Sequence, residues 1–268
     1  MKTKNILKGL LVLGSVALLI PSCTNLDEEL YGRLTPDSFF QNEEEAVSSV
    51  AGAYNYFARM FQAGGDGWRS AEYGTDELMC PGRSNGGWLD ENVNQMMRHE
   101  VVPFNDRLNG LWNCIFPGIG LDNSLIETFE ASPLKEQLKG VIAEVRALRA
   151  YQYYYAMDCF GNVPICTDAR ISTTNLPATS PRADVFKFVV EEFKAAIADL
   201  PSVKEVDASY YPRFTKESAQ AALAFVYLNG EVYSGTAYWK EVVDLCDAII
   251  NTGAFGLEER VGDCFRAD

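Results

Sequence analysis

Apolar residues recur along this chain with the period of helices. Val47, Val50, Tyr54, Phe57 and Phe61 are spaced 3, 4, 3 and 4 apart, which places them on one helical face. Asn42 stands where a cap is needed, with Glu45 at the third helical position and Glu43 and Glu44 suited to the positive end of the dipole. A second helical stretch is predicted from about Leu108 to Phe129, with Pro117 expected to kink or break it. A third, from Leu138 to Met157, buries Leu138, Val141, Ile142, Val145, Leu148 and Tyr155, and Gly161 and Pro164 stop it.

Ser180-Pro181 reads as a cap followed by proline at the first helical position. The stripe behind it is Phe186, Val189, Val190, Phe193, Ile197 and Leu200. Thr215 caps the next helix, with Ala219, Ala222, Leu223, Val226 and Tyr227 inward. Trp239, Val242, Val243, Cys246, Ile249 and Ile250 form the last stripe. Trp112 and Trp239, on such stripes, are expected in the core. Small-residue faces on consecutive helices joined by short turns predict an all-α fold, a TPR-like solenoid of helical pairs, although no strict 34-residue repeat is present.

Two segments lack this period. Thr167 to Ser180 is a polar loop. Gly64 to His99 is a long Gly- and aromatic-rich loop that interleaves Gly64, Gly65, Gly67, Gly74, Gly82, Gly86 and Gly87 with Trp68, Tyr73 and Trp88. Loops of such length usually carry function or are disordered, and disorder would leave two tryptophans and a tyrosine in water. Aromatics plugging the solenoid end are the plain structural alternative.

The N-terminus has a different pattern. Lys2, Lys4 and Lys8 precede an apolar run, Leu10 to Ile20, that is too short to span a bilayer. Residues 1–22 therefore read as a secretory signal. Ser22 before Cys23 resembles the end of a bacterial lipoprotein signal, with Cys23 the lipidated first residue and the outer-membrane lipid its partner. Two or three acyl chains, palmitate among them, would anchor the protein stably where one would not. Residues 23–40, with Asp27, Glu28 and Glu29, form the lipidated start and tether, and 41–268 the helical body.

Composition narrows the function. With 37 acidic and 23 basic residues the formal charge is −14, which argues against nucleic acid as a partner. His99 is the single histidine and no CxxC pair occurs, which argues against a zinc site; nothing in the sequence asks for a cofactor. His99 itself reads as structural. Beyond Cys23 there remain Cys80, Cys114, Cys159, Cys166, Cys246 and Cys264. An even number in an exported protein invites disulfides, with Cys159–Cys166 the best pair, yet Cys159 and Cys246 lie in apolar helical patterns that suit core thiols.

The motifs, taken in order, resemble the SusD/RagB outer-membrane lipoproteins. They are the Cys23 start, Thr35 to Phe40 running into Glu44 to Tyr54, the helix from Trp112 to Asn123, and the segment AEVRALRAYQYY at Ala143 to Tyr154 leading to Phe160-Gly161-Asn162-Val163-Pro164. Asp199 to Pro201, Pro212 to Ala219 and Ala224 to Leu228 complete the series. The resemblance implies the N-terminal helical part of a longer protein, with the C-terminal half missing after Asp268. It further implies a cell-surface lipoprotein that captures oligosaccharides, or in some members peptides, for a SusC-type TonB-dependent transporter. Such proteins bind and do not catalyse.

Sugar rings present apolar C–H faces and a hydroxyl rim, so recognition wants aromatic platforms beside carboxylates, amides and guanidinium groups. Trp68, Asp76, Arg83, Asn85 and Trp88 of the long loop offer that set, and Arg69, Asp90 and Asn92 add to it. Each has a plainer alternative. Asp76 would cap the turn before Glu77, Arg83 would be a solvated charge, and Trp88 a buried plug. Arg146 and Arg149 read as structural, paired with acids of a neighbouring helix. The rival functions are a lipid-anchored glycoside hydrolase, for which no spacing picks out a carboxylate pair, and a helical protein-interaction scaffold.

Overall fold

A computed structural model describes residues 42–62, 66–82, 89–171, 174 and 176–265, all within one compact unit. The predicted signal peptide, Cys23 and the acidic tether lie outside the described residues. The helices are α1 (Glu43–Phe61), α2 (Asp66–Glu72), α3 (Glu91–Met97), α4 (Asp106–Ala131), α5 (Lys139–Phe160), α6 (Arg182–Asp199), α7 (Lys216–Leu228), α8 (Gly230–Ser234) and α9 (Trp239–Ile250). Between α5 and α6, the two-residue strands β1 (Val163–Pro164) and β2 (Thr179–Ser180) pair antiparallel, with Val163 opposite Ser180. Consecutive helices pack on one another: α4 on α5, α5 on α6, α6 on α7 and α7 on α9, with α1 laid across α4 and α5. This is the all-α arrangement of stacked helices that the periodicity predicts.

The start signals act as expected at two helices. Asn42 Oδ1 accepts from the Glu45 N–H at 2.9 Å, and Thr215 forms a reciprocal box with Ser218. At α6 the cap differs from the prediction. Ser180 belongs to β2, Pro181 is the cap residue without a side-chain bond, and the free Arg182 N–H donates instead to Asn162 Oδ1 at 2.8 Å.

Pro117 does not break its helix; α4 runs unbroken through it. Pro117 and Asn113, whose carbonyl loses its partner, both lie on the exposed side, where water can satisfy that oxygen. The opposite side is held tightly. A Cβ on Gly118 would stand 2.5 Å from Gln152 Oε1 and 2.9 Å from Tyr56 Cβ, so α4 approaches α1 and α5 this closely only with glycine there.

Two of the predicted faces need correction. On α1 the buried residues are Ala46, Val50, Ala53 and Met60, while Val47, Tyr54 and Phe57 are half-buried and Phe61 is 42 % exposed. Two alanines let α1 sit close to its neighbours, which turns the large rings to the flank. On α9 no residue is fully buried; Trp239 is 54 % and Ile250 70 % exposed and Cys246 is exposed as well, while Val242 and Leu245 are half-buried against the core, so the stripe is core along one side only. Tyr227, by contrast, is buried, stacked on Tyr238. Trp112 is half-buried against Phe116 and Phe160, closer to expectation.

Cys80, Cys159, Cys166, Cys246 and Cys264 form no disulfide, and the Cys114 thiol donates to the Tyr56 carbonyl at 3.5 Å. Cys159 and Cys166 do not pair, and Cys159 is exposed and not a core thiol; Tyr153 fixes Cys166 by its backbone, the phenol accepting from its N–H and donating to its C=O, and Cys166 Sγ lies 3.8 Å from the Asp168 carbonyl. Arg149 pairs with Glu192 of α6, and Arg146 with Glu130 of α4 at 3.2 Å, in the structural roles expected of them. His99 is exposed and adopts a left-handed conformation at φ 56° where α3 ends.

Candidate functional site

The segment between α1 and α4, predicted to be non-helical, folds as α2 and α3 with a small core of its own. Tyr73, Val93 and Met96 are buried there, with Leu78, Cys80, Leu89 and Met97 packed around them. The glycines had hidden these two short helices from a periodicity argument. Gly67 is required by contact, because a Cβ there would fall 1.9 Å from the Met60 carbonyl oxygen, and α2 could not fold back onto the end of α1. Tyr155 of α5 fixes the same point, its hydroxyl donating to the Gly67 carbonyl at 3.2 Å.

The far end of the segment is tied to the start of α4. Asp90 caps α3 through the Val93 N–H at 2.9 Å and pairs with Arg107. Burial opposes its ionisation, but the Val93 N–H and the Arg107 guanidinium hold the carboxyl below its ordinary value. Asn92 exchanges two bonds with Asp106, donating from Nδ2 at 3.2 Å and accepting the Asp106 N–H at 2.9 Å. Asp90 and Asn92, grouped by sequence with the ligand-binding inventory, are therefore employed in holding the segment down.

Of the five sequence-predicted ligand residues, the described structure places two. Trp68 is half-buried in α2, edge-on to Tyr73 at 6.2 Å, and so packs as well as presents a ring. Asp76 is exposed in the turn after α2, and the bonds closing that turn come from Thr75, whose hydroxyl donates to the Glu72 carbonyl and accepts from the Glu77 N–H. The cap role considered for Asp76 is thus filled by its neighbour. Arg83, Asn85 and Trp88 lie outside the described residues.

Sequence reasoning missed a second surface beside this segment. A groove of about 1790 Å³ runs between α1, the 203–215 connection, α7 and the end of α9. Tyr54, Phe57, Phe61, Tyr210, Tyr211, Phe214 and Phe255 supply rings to it. At its α1 end Phe61 meets Tyr151 and Tyr155, the latter bonded to Gly67, so the groove leads directly to α2. Tyr211 is 87 % exposed. The signal is present in sequence as the flank of the α1 stripe, whose period points the rings inward.

Behind the groove lies a buried ion pair. Glu144 of α5, fully buried, receives Arg213 Nε at 3.0 and 3.1 Å and Nη2 at 2.5 Å, and accepts the Tyr54 hydroxyl at 2.6 Å. Tyr54 in turn accepts the Phe214 N–H at 2.7 Å, and the guanidinium lies 4.2 Å from the Tyr210 ring centre. Burial, with the Glu144 carboxylate next in weight, pushes the Tyr54 hydroxyl far above its ordinary value, so it remains a donor. The groove offers stacking faces, with Ser48, Asn55, Arg59 and Gln62 among its polar lining.

A smaller, polar cavity of about 410 Å³ lies between α4 and the 167–170 loop; of its charged lining, Arg170 pairs with Glu127 at 3.4 Å, Glu130 pairs with Arg146, and Asp168 completes the rim. Among the described residues no cluster of His, Cys, Asp or Glu is placed to hold a metal ion, and no helix is long and apolar enough to cross a membrane.

Comparison with known proteins accords with this architecture. Residues 27–228 match the SusD-like family described as "Starch-binding associating with outer membrane". A SusD-like protein of Bacteroides ovatus is 26 % identical over 226 residues, which are 82 % of this chain and 39 % of that protein. The starch-binding protein SusD of Bacteroides thetaiotaomicron is 25 % identical over 126 residues, covering 47 % of this chain and 22 % of its own length. This chain thus spans less than half the length of the curated relatives it matches.

Among solved structures, a laminarin-binding SusD-like protein superposes with a TM-score of 0.68 at 22 % identity, covering 80 % of this chain and 44 % of that one. Surface glycan-binding protein A from Bacteroides uniformis does so with 0.70 at 19 % identity, covering 84 % and 50 %. These likenesses establish the fold, and the family match over most of the sequence settles the kinship: the chain belongs to the SusD-like family.

Proposed function

We propose that this chain is part of a cell-surface protein that captures oligosaccharides for import and does not cleave them. The observation that carries the reading is the family match together with relatives of the same fold named for starch, laminarin and surface glycan. In this proposal the α2–α3 segment makes the specific contacts through Trp68, Asp76, Arg83, Asn85 and Trp88, and the adjoining aromatic groove extends the stacking surface. Residues 1–22 serve as the signal, Cys23 carries the lipid that anchors the protein in the outer membrane, and a SusC-type TonB-dependent transporter receives the cargo.

Calorimetric titration of the full-length protein with defined starch and β-glucan oligosaccharides tests the binding. Trp88→Ala should weaken affinity roughly ten- to hundredfold, as expected for loss of one aromatic platform at about 1–3 kcal/mol if sugar stacks as bases do. Normal binding by Trp88→Ala would move the site out of this segment. New reducing ends on incubation would show a hydrolase instead. Detergent phase separation of Cys23→Ala, expected to shift the protein to the aqueous phase, checks the anchor.

A further inference from the structure

The α4–α5 seam contains a carboxyl group whose surroundings do not suit a carboxylate. Asp122 is fully buried. Its Oδ2 accepts one hydrogen bond, from Gln152 Nε2 at 3.0 Å, and its Oδ1 is buried with no partner. Gln152 is also fully buried, and its Oε1 is likewise without a donor. Two oxygen acceptors of one hydrogen-bonded side-chain pair are thus both unsatisfied, a combination disfavoured wherever polar groups leave water.

No cation repairs this. Arg149 is the charged side chain that acts on Asp122, and each of its three nitrogens is bonded elsewhere. Its Nε bonds Glu192 of α6 at 3.0 Å, its Nη2 bonds the same carboxylate, and its Nη1 donates to Asn123 Oδ1 at 2.8 Å. Glu192 therefore neutralises Arg149, and from α1 the group at this level of the seam is the Tyr56 side chain against Gly118.

We infer that Asp122 is protonated in the folded protein and shares its proton with Gln152, closing a cyclic acid–amide pair that locks α4 to α5. A proton on Oδ1 turns that atom from a bare acceptor into the donor Gln152 Oε1 lacks, while the bond from Nε2 to Oδ2 stays in place. All four polar atoms are then satisfied without a charge. Burial acts in the same direction, raising the Asp122 carboxyl well above its ordinary value against a smaller opposing influence from Arg149. The seam is thereby sensitive to pH. Unfolded Asp122 ionises from about pH 4, so its share of stability is complete below that value and is lost progressively as pH rises toward the folded value. This pairing is independent of the family role proposed above.

Infrared spectroscopy of the protein in D₂O at neutral pH reads the proton directly. The wild type should show the carbonyl stretch of a protonated carboxyl, absent from Asp122→Asn. Urea titration of both forms across pH 5 to 8 reads the consequence. The carboxamide introduced by Asp122→Asn would preserve a neutral two-bond pair with Gln152, so the variant's midpoint should match or exceed that of the wild type, with a difference that grows with pH. A pH-independent difference would overturn the inference. So would a wild-type spectrum lacking the band, and that spectrum decides the matter even if Asp122→Asn does not fold.

Discussion

Replacing Glu144 with glutamine isolates the charge in the network behind the groove while keeping the side-chain shape. Glu144 has no exposure, and four hydrogen bonds converge on its two oxygens, three from Arg213 and one from Tyr54. Glutamine retains one acceptor oxygen but turns an amide N–H₂ toward the guanidinium donors. Breaking a buried pair costs about 3–5 kcal/mol because one charge is stranded. The Arg213 side chain remains 24 % exposed and can recover part of its hydration, so the lower end, about 3 kcal/mol, is expected. For a chain of this size that corresponds to roughly 6–12 °C in Tm.

Tyr54→Phe removes the other link and leaves the Phe214 N–H without its acceptor, at a cost of about 1–3 kcal/mol. Because both residues belong to one network, the double variant should cost less than the sum, with a coupling on the order of 1 kcal/mol. Urea denaturation followed by circular dichroism supplies all four corners of the cycle. The loss should persist at 1 M salt, since a buried pair is poorly screened. A penalty below about 1 kcal/mol for Glu144→Gln, or strict additivity with Tyr54→Phe, would refute the reasoning that this pair holds α1, α5 and the start of α7 together.

Three further outcomes are expected. Pro117→Ala should raise stability by roughly 1–2 kcal/mol, since it restores an N–H to a continuous helix, less the gain in unfolded-chain freedom; a lower melting temperature would show that the proline sets a bend the packing needs. Gly118→Ala should lower stability by about 1–3 kcal/mol through overpacking against Gln152 and Tyr56, read as an earlier urea midpoint with unchanged slope. Trp239→Ala should change this chain's stability by less than about 1 kcal/mol because the ring is more than half exposed, and a loss of about 3 kcal/mol or more would put it back in the core.

What the sequence determined by itself was the set of local choices. The 3.6-residue period located the long helices, Asn42 and Thr215 marked two of their starts, and the run from Ala143 to Tyr154 pointed to the family that the later match showed. These are decided within a few neighbouring residues, so they are visible in a linear string. Tertiary structure decided the rest, because the deciding partner lies far along the chain. Glu144 is a charged residue of a type seldom fully buried, yet it is buried because Arg213, 69 residues away, comes to meet it. Ala46 and Ala53 take the inner face of α1 from larger neighbours because α4 and α5 approach closely, a distance no periodicity records. Trp239 lies on an apolar stripe, yet no side chain among the described residues covers it enough to bury it. The α2–α3 segment is helical despite its glycines because Gly67 permits close contact with Met60 and Tyr155, and only the folded chain brings those three together.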